Sequence, residues 1–389
     1  MRKIKLGLLL QIIIAVILGV VCSSFFPIIL TRVFATINSI FGNFLGFAIP
    51  LIILGLVAPG IADLGKGAGK LLGITALLAY CSTLFAGFLS YFVCSWSYPN
   101  ILVRDGALQS IEDGISGKIL PYFTIDMPPI TGITSALVLA FILGLGLSAV
   151  KGDKLKGVLN EFKDLVVAVI TKAIIPILPL YIFGIFLVIG AEGQISAVLT
   201  LFVKVIAVIF VMHVLLLLIQ FSIAGVVSKK NPIKALVNML PAYVTALGTQ
   251  SSAATIPVTL EQAKKNGVKE EIADFVIPLC ATIHLAGSIL KIVACAFAIL
   301  WMMDLPHSIN LFVAFICMLG ITMIAAPGVP GGAIMAAVGL LSSMLGFDEN
   351  LIGLMIALYI TMDSFGTACN VTGDGAIALI VNKIYAKFK

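Results

Sequence analysis

Charge is what this chain has least of. Asp, Glu, Lys and Arg make up 11% of its 389 residues against 61% hydrophobic ones, and the mean hydropathy is +1.18. That balance excludes a soluble domain of ordinary composition and describes a polytopic membrane protein. Cysteine pairing is also missing. Cys22, Cys81, Cys94, Cys280, Cys295, Cys317 and Cys369 lie in or at the ends of apolar runs, with no Cys-x-x-Cys and no secreted-type spacing, so free thiols are expected. His213, His284 and His307 stand without ligand spacing, which argues against a Cys/His metal centre. The net charge of +6 comes from basic residues between apolar runs and not from one patch, so nucleic-acid binding is set aside. No Gly-x-Ser-x-Gly elbow occurs, which leaves an intramembrane hydrolase built on Ser251 or Ser252, His284 and Asp363 as a remote alternative.

What the chain does have is polar residues where they are expensive. Between Leu351 and Val381, an apolar stretch holds Asp363, Thr367, Asn370 and Asp374. Spacings of four, three and four put them on one helix face, as a stripe roughly 16 Å long. A carboxylate at that depth faces protein or a water-filled cavity and calls for a cation, so ligand binding is the first hypothesis.

Segments able to cross a bilayer lie at 5–30, 36–60, 69–97, 131–150, 158–190, 195–228, 269–302 and 350–382, giving eight crossings. The start resembles a signal peptide. However, Val20 and Val21 are not the small pair a cleavage site wants, and the apolar run continues to Leu30, so an uncleaved first span is expected. Residues 98–130 read as an exposed loop. Every second connection is basic, from Arg2, Lys3 and Lys5 to Lys383, Lys387 and Lys389, and the alternate ones are acidic. The positive-inside rule then puts both termini in the cytoplasm of a multi-pass cell (inner) membrane protein.

Two further apolar segments, 233–260 and 309–347, would break the charge alternation if they crossed. Gly and Pro at their centres, notably Pro327-Gly-Val-Pro-Gly-Gly332, and Ser251-Ser252 at the first tip predict re-entrant helical hairpins. Hairpin then helix occurs twice, from opposite sides, as in secondary transporters built from inverted repeats. A channel, the remaining alternative, would more naturally show rings of like residues or a filter loop.

At these residues the chain resembles the dicarboxylate/amino acid:cation symporter family, which includes the glutamate transporters. The likeness lies in Thr249-Gln-Ser-Ser-Ala-Ala-Thr-Ile-Pro-Val-Thr259, Pro278-Leu-Cys-Ala-Thr-Ile-His-Leu-Ala-Gly-Ser288, Gly328-Val-Pro-Gly331 and the stretch from Asp363 to Asp374 that ends Asn-Val-Thr-Gly-Asp. It implies an all-α homotrimeric elevator transporter in the lipid bilayer with no cofactor beyond coupling sodium ions. Residues 1–68 and 131–194 would form the scaffold. Residues 69–97 and 195–389 would form the transport domain, and 98–130 the extracellular loop. The resemblance further implies that Asp363 holds a substrate ammonium, that Asn370 and Ser251-Ser252 hold its carboxylate, and that the backbone from Val329 to Gly331 is the lid, with Ser288, Gly366 and Thr367 completing the pocket. Asp374 would bind sodium together with mostly backbone groups of Cys280, Thr282, His284 and Asn370, in keeping with the preference of hard cations for oxygen.

Three departures set the expected substrate and coupling. Gly366 stands where acidic-substrate members carry an arginine, and Gln250 replaces a second one. A buried unpaired carboxylate costs several kcal/mol, so a small neutral amino acid such as serine, threonine or alanine is favoured over acidic substrates. Ala286 removes the carboxylate of an additional sodium site, leaving the hydroxyls of Ser82 and Thr83, so fewer coupled ions are expected. Lys291 either points inward as an internal cation or snorkels outward. His284 is a hydrogen-bonding stand-in for asparagine or a proton-coupling group. Proton-coupled amino-acid or C4-dicarboxylate symport stays open as the alternative.

Overall fold

Pro27 and Pro176 mark where the first half of the chain departs from plain spans. The computed structural model describes residues 7–64, 70–102, 119–149, 153–193, 195–324, 326 and 330–386, and among the described residues all regular structure is helical. Helix α1 is Leu8–Ser23 and α2 is Ile28–Leu64. The break between them falls at Ser24–Pro27, earlier than the expected gap after residue 30. Pro27 cannot donate to a continuing ladder but suits the start of a new helix. Helices α3 (Lys70–Ile101), α4 (Ile133–Ala149) and α5 (Asp153–Val169) follow. A π turn at Ile170–Ile174 then leads into α6, Ile175–Ala191. Pro176 removes one backbone donor just after this turn and Pro179 a second, which accounts for the widened register in a span the sequence reads as regular.

Helix α7 spans Ile195–Ser228. The expected first hairpin resolves into a short α8 (Pro232–Asn238), α9 (Leu240–Thr249) and α10 (Ser252–Lys265). Gln250 turns the chain in the left-handed region, at φ 53°, and α9 packs against α10. The expected seventh span is two helices, α11 (Glu270–Ile283) and α12 (Ala286–Met302). The expected second hairpin contains α13 (Ile309–Ile324) packed on α14 (Gly332–Leu345). The last span is α15 (Glu349–Thr361) and α16 (Asp363–Tyr385), bent by 60° at Met362.

Among the described residues, five helices are long and apolar enough to cross a membrane: 28–60, 70–101, 153–191, 198–228 and 270–302. The bent pair α15–α16 makes a sixth. The described parts of the first and fourth expected spans are shorter, 16 and 17 residues. Val203, Val211 and Val226 on α7 are 69, 67 and 81% exposed. An apolar surface on that scale suits lipid and not water, and the protein is a multi-pass membrane protein.

Packing concentrates in two groups. Helices α1, α2, α4, α5 and α6 pack chiefly on one another. Helix α3 packs on α12, and α16 lies among α7, α9, α10, α11 and α12. Arg32 Nε donates to the Leu120 carbonyl at 2.9 Å and Asn43 Nδ2 to that of Ile125 at 2.7 Å, tying the later part of the expected loop to α2. The acidic part of that loop and the basic residues Arg2, Lys3, Lys5, Lys66, Lys151, Lys387 and Lys389 lie outside the described residues.

Candidate binding site at the helix breaks

Among the described residues, helices α10, α12, α14 and α16 begin at buried residues, Ser252, Ala286, Gly332 and Asp363. Each start exposes backbone N–H groups that need acceptors. Helix α16 supplies acceptors to two of the others. Asn370 Oδ1 accepts from Gly287 N at 2.7 Å and from Ser288 N at 3.3 Å, capping α12, whose own N-cap residue Leu285 offers no side-chain acceptor. Asn370 Nδ2 donates to Ser288 Oγ at 3.0 Å. Asp363 Oδ2 accepts from Gly331 N at 2.8 Å, at the start of α14. Gly331 has φ 73°, a left-handed conformation that favours glycine.

Asp363 is the first residue of α16, where the helix dipole favours an anion. Its Oδ1 pairs with Lys291 Nζ at 3.1 Å. Lys291 is fully buried. Its ammonium also donates to the Met362 carbonyl at 3.3 Å and lies 3.7 Å from the centre of the Tyr359 ring. Lys291 therefore points inward, and the snorkelling reading is wrong. Because α12 starts at Ala286, Lys291 sits in its second turn, not at the middle of a long helix. Gly366 makes this possible, since a Cβ there would overlap Lys291 Cε and Nζ.

Asp374, the second stripe carboxylate, is held by His284. The ring Nδ1 lies 2.8 Å from Asp374 Oδ1, and Nε2 lies 3.0 Å from Ser82 Oγ, which accepts from Gln220 Nε2 at 2.9 Å. A neutral ring with its proton on Nδ1 completes a directional chain from Gln220 through Ser82 and His284 to Asp374. His284 sits at the C-terminal end of α11, its N–H donating to the Cys280 carbonyl at 2.9 Å.

The remaining expected site residues are less closely engaged. Ser251 caps α10, accepting from Ala254 N at 3.3 Å, and Ser252 is the buried first residue of that helix. Thr367 is buried on the stripe face. Thr282 is exposed and its hydroxyl donates to the Leu279 carbonyl, so its side chain is not brought to Asp374. Val329 lies outside the described residues. Sequence reasoning missed Gln220 and Tyr359. Gln220 was detectable as a lone amide in the apolar run of α7, and Tyr359 as a polar-tipped ring four residues before Asp363.

The sodium:dicarboxylate symporter family matches residues 8–384. The chain belongs to that family. It is a transporter and not an enzyme. It is similar to the serine/threonine transporter SstT of Acinetobacter baumannii strain ATCC 17978, at 28% identity over 386 residues covering 95% of both chains. The SstT of strain SDF is 29% identical over 392 residues, again covering 95% of each. That of Acinetobacter baylyi is 27% identical over 396 residues, covering 98% of both.

Proposed function

We propose that this family member is a sodium-coupled symporter, or exchanger, of a small neutral amino acid such as serine, threonine or alanine. The observation that carries the reading is the setting of Asp363. It is a buried carboxylate that begins α16 and accepts from the start of α14, two turns before the Asn370 that caps α12, so that an ammonium would find its counter-charge and a carboxylate positive helix ends nearby. The buried Lys291 does not reopen the case for an acidic substrate, because its ammonium is already engaged by Asp363, Met362 and Tyr359. The SstT relatives, named as serine/threonine transporters over almost their whole length, support the same substrate class.

The transport cycle would be an elevator movement in a homotrimer of the cell (inner) membrane, with eight crossings, two re-entrant hairpins and cytoplasmic termini. Packing among α1, α2, α4, α5 and α6 supports a scaffold, and packing of α3, α7 and α9–α12 around α16 supports a transport domain. Asp374 with the Cys280, His284 and Asn370 carbonyls would form the sodium site. One observation favours a second reading, sodium-independent transport. His284 already engages Asp374, as a protein group in the place proposed for the ion.

The test is uptake into proteoliposomes of serine, threonine, alanine, aspartate and C4 dicarboxylates, with sodium or choline outside. Sodium-dependent uptake of the neutral amino acids is expected. Uptake that is indifferent to sodium would move coupling to the His284 chain, and uptake of dicarboxylates in place of amino acids would overturn the substrate assignment.

A further inference from the structure

A buried ammonium needs a reason, and in this fold it has an unusual position. Lys291 reaches Asp363 by crossing the volume that a side chain at position 366 would fill. Its ammonium contacts one carboxylate oxygen, one carbonyl and one aromatic face. The other oxygen of Asp363 is taken by Gly331 N. The subsite proposed for a substrate ammonium thus already contains an ammonium, tethered to α12.

We propose that Lys291 is a built-in surrogate for the substrate's amino group. Short carboxylic acids that lack an amino group, such as 3-hydroxy acids, then bind the same site with Lys291 left in place, while amino acids bind by displacing it. This inference rests on the reading of Asp363 as the ammonium subsite. A carboxylate ligand without an amino group would otherwise face the unpaired charge of Asp363 at close range. With Lys291 paired to Asp363, that repulsion is cancelled before the ligand arrives. An amino acid instead brings a second ammonium to a carboxylate whose oxygens are already engaged, so its affinity is lowered by the competition.

The ligand pair that separates the two effects is L-serine and 3-hydroxypropionate, which is serine without its amino group. Binding of each to the purified full-length protein is measured by competition against labelled serine or by calorimetry. The wild type is expected to bind both. In Lys291→Met the affinity for serine should rise about tenfold and that for 3-hydroxypropionate fall about tenfold, because a competing cation is removed from one and a neutralising cation from the other. A merely structural lysine would move both affinities the same way.

Gly366→Ala provides a second route should Lys291→Met fold poorly. It keeps the charge but pushes the end of Lys291 out of its present place, and the same crossover is expected. Wild-type protein that does not bind 3-hydroxypropionate, or affinities that move in parallel or not at all in both variants, would overturn the proposal. Asp363→Asn separates its failure from that of the functional reading. Serine binding that survives in this variant removes the ammonium subsite and this inference with it. Serine binding lost in Asp363→Asn, with no crossover in the other two variants, removes this inference alone.

Discussion

Asn370→Ala tests whether the seventh span is held broken by the last one. Asn370 supplies the only side-chain acceptor recorded among the described residues for the Gly287 and Ser288 N–H groups at the start of α12, at 2.7 and 3.3 Å. Both groups are buried, along with the Ser288 hydroxyl. Leaving a buried donor unsatisfied costs about 1–3 kcal/mol, with the shorter bond at the upper end. Loss of a helix N-cap costs about 0.5–2 kcal/mol by an independent route. The two counts overlap, because the cap is the same pair of bonds, and about 2–4 kcal/mol is expected. Asn370→Ser keeps an uncharged oxygen of a type that caps helix starts well, and unlike an aspartate it buries no new charge beside Asp374, so it should lose less stability than the alanine variant. Unfolding by SDS in mixed micelles, followed by the fluorescence of Trp301 near the far end of α12, measures both. A loss below about 1 kcal/mol in the alanine variant, or equal losses in the two, would refute the capping argument.

Other substitutions probe the neighbouring groups. On sequence alone, Gly366→Arg should shift preference toward acidic substrates. In this fold the new side chain meets Lys291, so the single variant is expected to lose stability, and only Gly366→Arg combined with Lys291→Met should take up aspartate. Aspartate uptake by the single variant would contradict the placement of Lys291. His284→Asn removes the imidazole from Asp374 and breaks the link to Ser82 and Gln220, so serine uptake should become more steeply dependent on sodium. An unchanged sodium titration would show that the chain has no part in coupling. Ser251→Ala removes the cap of α10 and is expected to destabilise by about 1 kcal/mol. Faster protease cleavage near residues 250–251 would report it, and no change would indicate that the turn is held by other contacts.

The parts of this fold that were legible in the sequence are those where local chemistry speaks for itself. The stripe from Asp363 to Asp374 was visible because ionisable groups rarely sit in membrane spans without a function. The turns near Ser251 and Gly331 were visible because Gly, Pro and Ser interrupt apolar runs there. The breaks at His284–Leu285 and at Met362 were not, since neither carries Gly or Pro at the break itself. Their freed backbone groups are satisfied from far along the chain. Asn370 caps α12 from 83 residues away, and Lys291 takes the Met362 carbonyl from 71 residues away. No local pattern announces such partners. The direction of Lys291 depends on the first of these breaks, and so could not be read without it.

Asp363 links two things that seem separate in the sequence, the second hairpin and the lysine of the seventh span. One of its oxygens holds Lys291, the other the N–H of Gly331. A carboxylate offers about four acceptor positions, so a third donor can be added without breaking either bond. Charge is less forgiving. A second cation beside one buried carboxylate leaves an unneutralised positive charge in a low-dielectric setting, where unpaired charges cost several kcal/mol. A bound ammonium therefore displaces Lys291 from Asp363, and the displaced ammonium needs an anion of its own. The amino acid brings that anion in its own carboxylate, whereas a simple amine does not. Zwitterions should consequently bind, and amines such as ethanolamine should not, even though both carry the group that Asp363 attracts. Ethanolamine binding with an affinity near that of serine would show that Asp363 is not governed by this balance.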